Sequence, residues 1–171
     1  MDTPLDPAHT EAVIDTELGQ MVVSFLADKA PKTVENFLTL SGKGFYDGLT
    51  FHRVVKNFMI QGGCPKGTGT GGPGYQIAAE FNDTPHKRGV LSMARSRHPD
   101  SAGSQFFIVH AEHARHLDGQ YTAFAQVTQG LEVLDAIASV PVDFGPGGEK
   151  STPVKPVRIK KISLRSKEAA S

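Results

Sequence analysis

Apolar residues recur in short β-like runs along most of the chain, and a helical period shows in only two places. Residues 13–26 are rich in β-formers and are interrupted only by Glu17-Leu18-Gly19-Gln20, which predicts two strands joined by a hairpin turn. Pro31 suits the first position of a helix, and Val34, Phe37 and Leu38 at i, i+3 and i+4 give that helix one apolar face; Gly42 and Gly44 end it. Strand-like runs follow at residues 51–55, 58–61, 89–94, 105–110 and 122–127, each bounded by Gly, Pro, Asn or Asp. A second short helix is predicted over 131–139, with Val133, Leu134, Ile137 and Ala138 facing inward. The last strand, 157–164, changes the parity of its apolar positions between Val157 and Ile159 and the later Ile162 and Leu164. A bulge near Lys160-Lys161 reconciles the two halves. Residues 141–156 carry Pro141, Gly145-Pro146-Gly147-Gly148, Pro153 and Pro156 and read as a long surface loop.

Strands therefore dominate, without regular strand–helix alternation. That argues for an antiparallel sheet or a closed barrel whose open ends the two helices cover. A length of 171 residues suits one domain. The expected division is a flexible leader over 1–10, one domain over 11–165 and a loose tail over 166–171. Lys+Arg and Asp+Glu balance at 18 each, so overall charge gives no reason to expect nucleic acid or an anionic membrane as partner. One cysteine, Cys64, cannot form an intramolecular disulfide and points to a reducing compartment. The first 20 residues lack a basic stretch followed by an apolar one, and no apolar run reaches the length of a membrane span, so a cytoplasmic protein is expected.

Three chemistries have only partial support. Gly69-Thr70-Gly71-Gly72-Pro73-Gly74 matches GxGxxG, but Pro73 and the glycines oppose the helix that a dinucleotide site needs. His110, His113 and His116 are spaced by three, yet the stretch runs into the turn Leu117-Asp118-Gly119, which argues against a zinc site. No Gly-x-Ser-x-Gly elbow supports a serine hydrolase, and Cys64 has no base beside it in the sequence.

A fourth constellation spans the chain. Phe51-His52-Arg53-Val54-Val55 is followed by Phe58-Met59-Ile60-Gln61-Gly62-Gly63, then by Leu91-Ser92-Met93-Ala94, Gly103-Ser104-Gln105-Phe106-Phe107-Ile108 and Leu117-Asp118-Gly119. These segments resemble, in order and spacing, the signature of the cyclophilin-type peptidyl-prolyl cis–trans isomerases. Residues 30–37 and the glycine-rich loop at 69–72 resemble the family's first helix and loop. The resemblance implies a closed eight-stranded antiparallel β-barrel capped by two α-helices, and an enzyme that accelerates rotation about X-Pro bonds and assists folding, with no cofactor and no metal. It implies Arg53 as the catalytic hydrogen-bond donor to the prolyl nitrogen, with Gln61 and Phe58 in the catalytic group. Met59, Ala94, Arg95, Gln105, Phe107, His116, Leu117 and Tyr121 are its substrate-binding residues. Taken alone, Phe58, Met59, Phe107 and Leu117 read as core, Arg53 as a salt-bridged strand residue, and His52 as structural.

Three positions depart from the family pattern. His116 stands where many members have Trp, Tyr121 where they have His, and Arg95 where they have Asn. The first implies weak binding of cyclosporin. Proline-containing peptides and flexible protein segments are the expected partners, and a monomer is expected. The alternative is a module that binds proline peptides and barely catalyses. An arginine at position 53 favours the enzyme, because pure binding does not demand it.

Overall fold

The structure is a computed structural model that describes residues 6–145 and 147–167. Strands β1 (Thr10–Thr16) and β2 (Gly19–Phe25) form the first hairpin, and α1 (Pro31–Gly42) follows. Next come β3 (Arg53–Val55), β4 (Met59–Gly62), β5 (Val90–Met93), β6 (Phe106–Val109) and β7 (Ala123–Gln129), then α2 (Leu131–Ala138). The chain ends through β8 (Val142–Phe144), β9 (Lys150–Pro153) and β10 (Ile159–Ser166). Eight strands form one antiparallel sheet in the order β10-β1-β2-β7-β5-β6-β4-β3. The parity change in the last strand has the predicted cause: Asp15 pairs with Lys161 and Thr16 with Ile159, so Lys160 is the extra residue of a bulge.

The expectation of a closed barrel is corrected. The sheet curls, but its outer strands β3 and β10 share no ladder. Instead the segment leading into β3 meets the start of β10 and the residues before it: Gly48 N donates to Ile159 O at 2.7 Å, Ile159 N to Leu49 O at 2.7 Å and Phe51 N to Val157 O at 3.0 Å. Pro156 in this region has no N–H to add to a ladder. The surface loop at 141–156 is also corrected, because it contains the β8–β9 hairpin, with Val142 opposite Pro153. Its strands, of three and four residues, are too short to show a period, and the turn between them is rich in glycine. Of the supposed leader, residues 1–5 lie outside the described residues; Pro7–His9 make a 3-10 turn and Thr10 already belongs to β1. Of the supposed tail, Ser166 ends β10 and Lys167 N donates to His9 O at 2.7 Å, while 168–171 lie outside the described residues.

The concave side of the sheet holds the main core. Phe37 of α1 sits at its centre, with the rings of Phe25, Tyr46, Phe106 and Phe124 at centroid distances of 5.2 to 5.8 Å. Ala30 precedes α1 and has no side chain to cap it. Glu80, distant in sequence, does so by accepting from Thr33 N at 2.6 Å and Thr33 Oγ1 at 2.8 Å, and its charge suits the helix N-terminus. α2 buries Val133, Leu134, Ile137 and Ala138, as its period predicts. No helix among the described residues is long and apolar enough to cross a membrane.

Gly130 joins β7 to α2 with φ +94°, and a Cβ there would lie 2.3 Å from Gln20 O. Neither conformation nor space permits a side chain. Gly130→Ala is expected to cost about 3 kcal/mol, read as a lower midpoint in urea unfolding. An unchanged midpoint would contradict this packing.

Candidate functional site

Strands β4, β5 and β6 are buried on both faces, and alternation assigns each residue to one of them. Val54, Ile60, Ile108 and Leu91 point into the main core. The residues between them point to the other face. There, register aligns Arg53 with Gln61, Gln61 with Phe107, and Phe107 with Ser92 across four strands. A second, smaller apolar cluster forms on this face around Met59, Phe107 and Leu117, flanked by Phe58, Ala94 and Tyr121. All the candidate residues except Gln105 and His116 line one cavity of about 340 Å³ on this cluster. Met59, Phe107 and Leu117 are thus both core and cavity wall: each is at most 6% exposed, yet each lines the opening.

Arg53 lies at the cavity edge, held on two sides. Its Nη1 donates to Gln61 Oε1 at 3.3 Å. On the other side, Nε donates to Glu149 Oε1 at 2.7 Å and Nη2 to Glu149 Oε2 at 2.9 Å. Its guanidinium carbon stands 6.0 Å from the centre of the Phe58 ring. The hydrogen bond from Arg53 holds the Glu149 carboxyl down at about 2, so the pair is ionised at neutral pH. Phe58 is set by the tight β3–β4 turn, where Asn57 takes φ 67° and donates its N–H to His110 Nδ1 at 2.9 Å. Glu149 escaped the sequence reading. It sits in the β8–β9 turn, 96 residues from Arg53, and belongs to no motif that connects the two.

Gln105 faces a neighbouring cavity of about 670 Å³, which Gln61, Ala94 and Arg95 share. Its Oε1 accepts from Gln61 Nε2 at 3.0 Å, and its own Nε2 donates to Gly69 O and Gly71 O, both at 2.9 Å. Its amide is therefore engaged in holding the glycine-rich loop. Cys64 holds the same loop from below, its Sγ accepting from Gly69 N at 3.3 Å and Gly71 N at 3.2 Å. Burial pushes this thiol's pKa up, but the backbone N–H groups outweigh burial and leave it lowered. No helix starts in the loop, so the nucleotide reading has no structural counterpart.

The rim residues are coupled. Arg95 donates to Gln120 O from Nε at 3.1 Å and from Nη2 at 2.8 Å, and stacks on Tyr121 with its guanidinium carbon 4.7 Å from the ring centre. Tyr121 in turn meets Phe107 edge-on at 5.6 Å. Two departures from the family pattern therefore form one contact. His116 is exposed and lies outside the cavity's lining, its ring 5.5 Å from that of Phe58.

Beneath Phe107 lies a polar cluster that no motif revealed. His86 is fully buried and stacks on Phe107 at 6.1 Å. Its Nδ1 is 3.1 Å from Asp118 Oδ1 and its Nε2 2.9 Å from Ser92 Oγ. The order Ser–His–Asp matches a hydrolytic triad, but Ser92 and His86 are both 0% exposed, so no substrate reaches the hydroxyl. With the proton on Nδ1, Ser92 donates to Nε2 and every polar atom of the cluster is paired. The histidines spaced by three do not converge: His110 pairs with Asp135, His113 with Asp118, and His116 packs on Phe58.

Comparison with known proteins identifies the family. The family model for cyclophilin type peptidyl-prolyl cis-trans isomerases matches residues 12–164. A peptidyl-prolyl cis-trans isomerase of Synechococcus elongatus is 54% identical over 131 residues, covering 77% of this chain and 88% of that protein. One from Arabidopsis thaliana is 42% identical over 162 residues, covering 92% and 97%. The crystal structure of a Cryptosporidium parvum cyclophilin type isomerase, determined in the presence of the dipeptide Ala-Pro, superposes with a TM-score of 0.84 at 34% identity, covering 91% of this chain and 99% of that one.

Burial, the largest effect on each, holds the pKa of His86 and of His52 below the usual 6.5. The folded state thus binds fewer protons than the unfolded chain. Stability is full above about pH 6.5 and is lost as pH falls toward the folded-state values. The urea midpoint is expected to be lower at pH 5 than at pH 7.5, and the His86 ring to titrate below its usual value by NMR. A His86 midpoint at or above 6.5 would contradict this assignment.

Proposed function

We propose that this chain, which belongs to the cyclophilin-type peptidyl-prolyl cis–trans isomerase family and is an enzyme of that activity, works through the fixed guanidinium of Arg53. The observation that carries this reading is the meeting, at one edge of the sheet, of a held cationic donor and a cavity that Phe58, Met59, Phe107 and Leu117 help to wall. Amide resonance gives the X-Pro bond partial double-bond character and a barrier of about 18–20 kcal/mol. Lowering it requires neither a covalent intermediate nor proton transfer. As the bond twists, resonance is lost and the prolyl nitrogen gains a lone pair. A cation aimed at that nitrogen bonds the twisted state better than the planar one, and this difference accelerates rotation. Arginine suits the role because it is always charged and its donors are fixed in a plane.

In this reading Phe58, Met59, Phe107 and Leu117 grip the proline ring while the preceding residue turns. Gln61 orients Arg53 and has a donor left for the substrate backbone. Ala94 and the main chain of Arg95 hold the residues before proline, with Tyr121 and His116 at the rim. Gln105 acts chiefly on the glycine-rich loop, since its amide donors are engaged there. Proline-containing segments of unfolded or flexible proteins are the substrates, as the Ala-Pro dipeptide with the Cryptosporidium parvum relative suggests by analogy. Folding assistance by a cytoplasmic monomer completes the proposal.

Arg53→Ala is expected to lower kcat/KM by about 100-fold or more on an Ala-Pro peptide, measured by exchange NMR, with an unchanged fold. Equal acceleration by variant and wild type would remove the role given to Arg53. Cyclosporin is expected to bind more weakly than about 1 μM by calorimetry, because the His116 ring offers less apolar area than the indole it replaces. Tighter binding would show that His116 does not limit the drug.

A further inference from the structure

We propose that Glu149 is a positioning residue for Arg53, holding the guanidinium so that the end of its fork faces the cavity. This rests on the reading of Arg53 as the catalytic donor. The β8–β9 hairpin packs against β3 and carries Glu149 in its turn, where Glu149 O accepts from Gly145 N at 2.9 Å. The carboxylate takes the Nε–Nη2 edge of Arg53 side-on, at 2.7 and 2.9 Å. Gln61 takes Nη1 at 3.3 Å from the opposite side. With these contacts made, the fork still has N–H donors at its Nη1–Nη2 end. Two anchors on opposite sides of a planar group fix both its tilt and its rotation, which one hydrogen bond from Gln61 does not.

A bland account would make this an ordinary surface ion pair, since the side chains are 36% and 47% exposed. Such pairs add little to stability. The two accounts therefore differ in what they leave to measure. Ordering a flexible arginine before substrate arrives removes a cost that would otherwise fall on the reaction step, so the effect belongs in kcat. A surface pair of no consequence leaves kcat alone, and a hairpin prop shows itself in stability.

The test compares wild type with Glu149→Ala, Glu149→Gln and Arg53→Ala in exchange NMR on an Ala-Pro peptide. Thermal unfolding and solvent exchange of the Arg53 Nε–H are recorded alongside. Glu149→Ala is expected to lower kcat about tenfold with KM within about twofold, to speed Nε–H exchange, and to leave the unfolding midpoint in place. Glu149→Gln, which keeps a neutral acceptor, is expected to fall between the two. Wild-type kcat in Glu149→Ala overturns the proposal, and so does a loss of kcat with Nε–H exchange unchanged. If Arg53→Ala stays fully active, the reading of Arg53 fails and this inference fails with it. If Arg53→Ala is inactive while Glu149→Ala is not slowed, the inference alone fails.

Discussion

Three short strands with no solvent-facing side carry this molecule. Because β4, β5 and β6 are covered on both faces, each contributes alternate residues to two apolar clusters. A shift of one residue in β4 or β5 would put Gln61 or Ser92 into the main core and turn Ile60 or Leu91 away from it. The cost of that exchange pins the register, and the register sets Arg53 beside Gln61 and Gln61 beside Phe107. The site is thus a by-product of packing the core. Its walls are as fixed as the barrel-like sheet behind them.

Polar contacts then tie the loops to that frame. A continuous chain runs from Glu149 through Arg53, Gln61 and Gln105 to the carbonyls of Gly69 and Gly71. It joins the late hairpin, the sheet edge and the glycine-rich loop. On the opposite rim, Arg95 joins the stretch after β5 to the stretch before β7 through Gln120 O and Tyr121. Below, the paired cluster of His86, Asp118 and Ser92 supports Phe107. The floor is apolar on its cavity side and polar on its protein side, and no buried donor of the His86 cluster is left unpaired.

Much of this was legible from local pattern. Both helices, the first hairpin and the bulge at Lys160 follow from the spacing of apolar residues, because each is decided by neighbours in sequence. The motif residues around Arg53 were legible only jointly, since Met59, Phe107 and Leu117 individually look like core and in fact are core. What escaped depends on contacts between distant segments. The β8–β9 hairpin packs against the distant β3, and its own short strands, with Pro141, Pro153 and the glycines of its turn, read as loop. Glu149 and His86 act through partners that only folding brings near. Arg95 and Tyr121 read as two separate departures, and their stacking gives them one explanation. The closed barrel was expected from the family resemblance, while the pattern of short strands left open sheet and closed barrel undecided, because it does not say whether the outer strands reach each other.

The pairing of β1 with β10 has a consequence for how the chain is made. β1 pairs on one edge with β2, its neighbour in sequence, but its other edge is completed only by a strand some 150 residues later, at Arg165 opposite Glu11. Until then one full edge of the sheet stands open, with backbone groups unpaired and ready to accept a foreign strand. The fold can therefore be finished only after synthesis of the domain is nearly complete. The same adjacency brings His9 and Lys167 within a single hydrogen bond. A short linker could join those ends, and the chain could be opened elsewhere with its strand order intact. In such a permuted molecule β1 and β10 would emerge together, and the waiting edge would move to another part of the sheet.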